Sequence, residues 1–211
     1  MKSAAVGFRP HSGWTAVVVL ALENDEPVVL VRERIHLVKI FNYYYRQPYH
    51  TAAKAPLEEG RAFISEVRTE ARALAHRALR DIQRKLDETD YRLTHDALLL
   101  ASSRALPDLE KILAAHPLIH TADGELFREA LSFASQKYGL KELRVKEREL
   151  LGRAAENLRY REDALVRRVT ELGRTIGAPW SQDEKFATLA AWLALRNAQT
   201  DATIRQKAKL A

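Results

Sequence analysis

Apolar residues crowd the first forty positions in short runs and recur at helical spacing thereafter. Ala4 to Phe8 is a compact apolar run, Thr15 to Leu22 is rich in valine, and Val28 to Val38 is a third such stretch. Short runs rich in β-branched residues suit a pleated, largely buried strand. Pro10-His11-Ser12-Gly13 and Glu23-Asn24-Asp25-Glu26-Pro27 have turn composition between them. Strands joined by such short turns predict an antiparallel three-strand meander. In the second half of the third strand Arg32, Arg34 and His36 alternate with Glu33, Ile35 and Leu37. A period of two therefore sets the basic side chains on one face.

Residues 41–56 follow neither period. Leu57 to Leu86 reads as one long helix whose apolar stripe is Phe63, Val67, Ala71, Leu74, Ala78, Ile82 and Leu86. Ala97 to Ala101, ending at Ser102-Ser103, is too short for a helix and reads as a buried strand. Asp108 to Ala115 is a short helix stopped by Pro117. Thr121 or Asp123 can cap a helix from about Gly124 to Tyr138, which Gly139 terminates. Leu143 to Leu151 supplies another strand. Arg153 to Arg174 is a charged helix, broken at Gly177-Ala178-Pro179, and Ser181-Gln182-Asp183-Glu184 opens a last apolar helix through Leu195. Parallel strands reached across helices imply βαβ crossovers. The expected fold is α/β: a five-stranded mixed sheet, an antiparallel meander plus parallel strands, flanked by helices. One domain over residues 1–196 and a polar, basic tail over 197–211, read as a frayed helix, follow from the pattern.

Composition narrows the function. The chain has 211 residues and no cysteine, so disulfides and thiolate metal sites are excluded. That suits a reducing, cytoplasmic setting. No apolar run reaches the ~20 residues of a membrane helix. The formal net charge of +6 makes a phosphate-bearing partner plausible, DNA or RNA first among them. Against this, 34 basic residues stand beside 28 acidic ones, largely mixed along helices as on an ordinary solvated surface. No Gly-rich phosphate loop, nucleophile elbow or dinucleotide fingerprint is present.

Three stretches carry a family signal. Val6-Gly7-Phe8-Arg9-Pro10-His11-Ser12-Gly13-Trp14 looks like an opening strand and turn in which Gly-hydrophobic-Asp-Pro-Gly is usual. His120 to Leu140 looks like an Ala-rich middle helix, and Lys185-Phe186-Ala187-Thr188-Leu189-Ala190-Ala191-Trp192 like a final one. In element order from Ala4 to Leu195 the chain resembles the ribonuclease H-like fold, and within it the RuvC-type Holliday-junction resolvases. The resemblance implies that carboxylates from the first strand, the fourth strand and the last helix hold two metals in active members. Here Arg9 stands at the first-strand position, the fourth strand has no acid after Asp96, and only Asp183 and Glu184 remain. An arginine cannot ligate a metal. A conventional two-metal site is not expected, and neither metal nor cofactor is assigned.

The same placement gathers other candidates. By the resemblance, Arg9 and His11 end the first strand, Ser102 and Ser103 the fourth, His116 and His120 enter the middle helix, and Asp183 opens the last. Ligands of open α/β sheets sit at strand carboxyl ends, and a helix N-terminus with Arg9 and His11 suits an anion. His11, His120 and Asp183 are the catalytic candidates, a histidine with a carboxylate being a possible general base. The bland alternative for Glu184 is a capping box with Ser181, and for Asp183 the helix dipole. His116 and His120, four apart, could share a metal with Glu125 nearby, but Pro117 argues against a continuous helix and spacing fixes no third ligand. Arg32, Arg34, His36 and Lys39, then Tyr43, Tyr44, Tyr45, Arg46, Tyr49 and His50, form a basic, aromatic segment suited to phosphates and unpaired bases. The alternative is that its tyrosines pack the loop onto the sheet. A non-catalytic nucleic-acid or polyanion binder is the leading expectation. A phosphoester hydrolase built on His11, His120 and Asp183 is the second. A structural module that dimerises through a sheet edge or the 153–174 helix is the third.

Overall fold

The structure is a computed structural model that describes residues 1–101 and 105–210, with side chains to residue 200. Three strands come first: β1 (Lys2–His11), β2 (Trp14–Glu23) and β3 (Glu26–His36). Both connections are two-residue turns. Gly13 takes φ 80° in the first, while Asn24 and Asp25 take φ 52° and 66° in the second. Positive φ at both central positions is what a hairpin turn of matching twist requires, and Asn and Asp tolerate it. The short helices α1 (Tyr43–Arg46) and α2 (Pro48–Ala52) occupy the segment without a period, and α3 (Leu57–Leu86) follows. Then come β4 (Tyr91–Leu100), α4 (Leu109–Leu113), α5 (His116–Lys137), β5 (Lys141–Lys146), α6 (Leu150–Leu158), α7 (Glu162–Ile176) and α8 (Gln182–Leu210).

The sheet order is β3-β2-β1-β4-β5. β1, β2 and β3 pair antiparallel, and β4 and β5 run parallel to β1. This is the mixed sheet the sequence predicted. Alternation along β1 divides the core into two layers. Ala4, Val6 and Phe8 pack with the buried rows of α3 and α5. Ala5 faces the other way, with α6, α7 and α8. Gly7 lies on that second face, and a Cβ there would stand 1.9 Å from the carbonyl oxygen of Ala187. Strand and helix approach so closely because residue 7 has no side chain. Gly7→Ala should therefore destabilise the fold by about 3 kcal/mol, at the upper end of overpacking costs; a thermal melt within a degree of the parent would refute the close approach.

Several boundaries differ from expectation. In α3 the buried row is Ile64, Val67, Ala71, Ala75, Leu79, Ile82 and Leu86. Phe63, Leu74 and Ala78, assigned to the stripe, are only half-buried, and Phe63 instead meets the rings of Tyr44 and Tyr45. β4 begins at Tyr91, not Ala97, because its first half mixes polar residues into the strand. β5 ends at Lys146 and a 3-10 turn, Glu147–Glu149, follows, so the strand predicted to Leu151 is shorter. The single helix expected over 153–174 is two, since Arg159 takes φ 60° without a glycine to announce it. α5 starts eight residues before Gly124, which puts Thr121 and Asp123 inside it rather than at its cap. Pro117 lies in its first turn, where no amide bond is lost. The tail from 197 onward is helical, as expected from the sequence, and continues α8 to Leu210. Ser102 and Ser103 lie outside the described residues.

Candidate functional site

The carboxyl end of β1 meets the start of α8 and the turn after β5. Arg9 shares its face of the strand with Ala5 and Gly7, so its side chain runs toward α8. Its guanidinium forks onto Glu147, Nη2 to Oε1 at 2.7 Å and Nε to Oε2 at 3.3 Å. Nη1 donates to Asp183 Oδ1. The plane also lies over the Phe186 ring at 4.9 Å. Burial disfavours the Arg9 charge, but the hydrogen bonds and charges of Glu147 and Asp183 outweigh it and hold its pKa above the usual arginine value. His11 Nε2 lies 3.0 Å from the same Asp183 oxygen.

Local sequence explains why Asp183 is available. Ser181 and Glu184 form the capping box: the Ser181 N–H donates to Glu184 Oε2 at 2.7 Å, and the Asp183 N–H donates to Ser181 Oγ at 3.1 Å. Glu184 is thereby a buried cap, and Asp183 is left to face Arg9 and His11.

A second arginine stands at the end of β4. Arg128, from α5, donates Nε to the Leu99 carbonyl at 3.1 Å and pairs with Glu125 at 3.3 Å. Burial lowers its pKa, with Glu125 and Glu147 opposing.

Beside the Arg9 pair runs a row of histidines and arginines on aromatic rings. His11 stacks on Trp14 with centroids 4.2 Å apart, and the Arg34 guanidinium lies 3.7 Å from the Trp14 ring. His36 stacks on Phe41 at 4.2 Å, and Arg46 lies 4.5 Å from that ring. Arg34 and His36 are exposed. Arg46 also donates to the Ser12 carbonyl at 3.0 Å. Tyr43 and Tyr44 present about half of their surface, at 58% and 50% exposed. Arg32 differs. Its Nη1 and Nη2 groups donate to the carbonyls of Gly177, Ala178 and Pro179, so it braces the loop before α8.

Of the catalytic candidates, the structure brings together His11 and Asp183, with Arg9. His120 belongs elsewhere: α5 packs in the opposite layer from α8, and His120 lies there with His50 and His116. Sequence reasoning missed Glu147 and Arg128. Glu147 is one of three glutamates in the charged run Lys141–Glu149 and gives no signal of its own, and Arg128 is one of many helical arginines.

The architecture has distant structural counterparts. The chain superposes on the Thermus thermophilus RuvC structure with a TM-score of 0.53 at 12% identity, covering 94% of this chain and 96% of that one. The match to T. thermophilus RuvC in complex with Holliday junction substrate has a TM-score of 0.55, the same identity and the same coverage. The fold is ribonuclease H-like. No protein-family model and no curated protein sequence matches the chain. The ribonuclease H-like fold implies a metal site at this strand end, and the residues present do not fit one. The Arg9 guanidinium lies between the two carboxylates, and a cation there would meet a fixed positive charge. Among the described residues no helix is long and apolar enough to cross a membrane.

Proposed function

We propose that this ribonuclease H-like chain binds nucleic acid and has no two-metal nuclease step. The observation that carries this reading is the position of Arg9, forked onto Glu147 and bonded to Asp183. It replaces metal charge with guanidinium charge that cannot dissociate. The row of Arg34 on Trp14 and Arg46 on Phe41 supports the binding half. Cations there track phosphates, and exposed Tyr43 and Tyr44 offer faces for unpaired bases, each stack contributing about 1–3 kcal/mol. His11, Arg34, Tyr44 and Arg46 are the contacts proposed; Arg32 is committed to the loop before α8. A fold neighbour has been seen with a Holliday junction, which makes branched DNA the first probe.

The test is fluorescence anisotropy with a four-way DNA junction, duplex DNA and single-stranded RNA at about 50 mM salt, where electrostatic contacts are strong. Binding should weaken steadily as salt rises. Each lost phosphate contact flattens the log–log salt slope by about one, and Arg34→Ala should do so without changing the fold. Incubation with Mg²⁺ or Mn²⁺ should leave every substrate intact. Absence of binding in low salt, or metal-dependent cleavage, would overturn the reading.

A further inference from the structure

The layer opposite α8 holds a second group of chemistry-bearing side chains. Because α5 begins at His116, His116 and His120 stand one turn apart on a real helix, and their ring centroids are 4.4 Å apart. His50, from α2, brings its ring to 4.4 Å from His120 and 5.3 Å from His116. One ring nitrogen from each of the three lies within 4.8 Å of the other two. This supplies the third ligand that spacing could not.

Asp123 sets the orientation of His50. Its carboxylate is only 1% exposed. Oδ1 accepts the Tyr49 N–H at 2.7 Å and Oδ2 pairs with His50 Nδ1 at 2.5 Å. With Nδ1 engaged by Asp123, Nε2 is the His50 nitrogen left to face a metal. A carboxylate behind an imidazole is the usual device that fixes tautomer and ring orientation in a metal ligand. Burial raises the Asp123 pKa, and the His50 contact and the Tyr49 amide pull it back.

We propose that His50, His116 and His120 bind a divalent transition-metal ion, zinc by preference. Three neutral imidazoles suit zinc, copper or nickel, whereas magnesium and calcium require oxygen ligands. Tetrahedral zinc needs nitrogens about 3.3 Å apart, from bonds of about 2.0–2.1 Å. His116 and His120 are exposed and can rotate inward, while Asp123 holds His50. Three protein ligands leave the fourth position to water or an incoming ligand. The ion clamps α2, and with it the tyrosine-bearing segment, onto α5. This site stands apart from the Arg9 pair and does not depend on nucleic-acid binding.

The experiment titrates the full chain, freed of metal by a chelator, with ZnCl₂ in a calorimeter. A single equivalent should bind with micromolar affinity or tighter and raise the melting temperature. His116→Ala and His120→Ala, on exposed side chains, should each weaken binding at least ~100-fold while the apo protein melts unchanged. Asp123→Asn should weaken it by about 10–100-fold. His76→Ala, outside the cluster, should bind zinc as the parent does. Absence of saturable binding, or affinity that survives His116→Ala and His120→Ala, overturns the proposal.

Discussion

Exchanging Arg9 for alanine should destabilise the chain by about 2–3 kcal/mol, and exchanging it for aspartate should cost more, with the additional loss recovered in Mn²⁺ or Mg²⁺. The Arg9 side chain is 14% exposed, and it neutralises Asp183 and Glu147 together. Removing one partner of a buried pair costs about 3–5 kcal/mol because the other charge is stranded. Asp183 and Glu147 are 19% and 39% exposed, so water screens them and trims the loss. Aspartate at position 9 adds a third carboxylate where the guanidinium was. Like charges at that range repel, and a divalent cation is the natural remedy. Urea unfolding of parent, Arg9→Ala and Arg9→Asp, with and without MnCl₂, reads both parts. If Arg9→Asp is no less stable than Arg9→Ala and indifferent to metal, the three side chains do not converge as described.

Under the proposed reading, in which the strand end has no two-metal step, the experiment also separates two origins of that state. A site that has merely decayed would tolerate alanine at position 9. One in which arginine has replaced the cation would not, because the surviving acids then depend on it. The second pattern matches the double engagement of the guanidinium and its packing over Phe186.

What could be read from the sequence was local. The hairpin turns, the valine-rich β2, Gly139 closing α5 and the Ser181–Glu184 box are signals contained within a few residues, and each appears where expected. The missing first-strand carboxylate was likewise visible in one position. The partners of that position were not. Glu147 reaches Arg9 only because β4 pairs parallel to β1 on one side and to β5 on the other, which aligns the ends of strands distant in sequence. His50 reaches His116 and His120 only through the packing of α2 on α5. Pro117 misled for a simpler reason: proline interrupts a helix from within but is tolerated in its first turn, and only the observed start of α5 distinguishes the two.

Stability should fall as pH rises from about 4 to about 7, and Asp96→Asn should abolish most of that slope. Asp96 lies in the middle of β4, is fully buried, and finds no hydrogen bond for either carboxylate oxygen among the described residues. Burial raises its pKa to about 7, and the charge of Glu142 on β5 pushes the same way; the charge of Arg144 opposes them, as does the Ser135 hydroxyl, which lies near without completing a hydrogen bond of good geometry. Below the ordinary aspartate value both folded and unfolded chains carry the proton, and the contribution is fully present. Between that value and about 7 the unfolded chain releases its proton while the folded chain keeps it, so stability is lost progressively. Above about 7 both are ionised and the loss is complete. At about 1.4 kcal/mol per pH unit over roughly three units, the total is about 4 kcal/mol. Asparagine keeps the shape without the charge, although its buried amide needs partners and costs about 1–2 kcal/mol. The variant should therefore be more stable than the parent by about 2–3 kcal/mol at pH ~8 and less stable at pH ~4. Urea midpoints measured across that range give the slope directly. An Asp96→Asn chain whose stability follows the parent at every pH would mean that Asp96 is ionised in the folded protein with partners of its own.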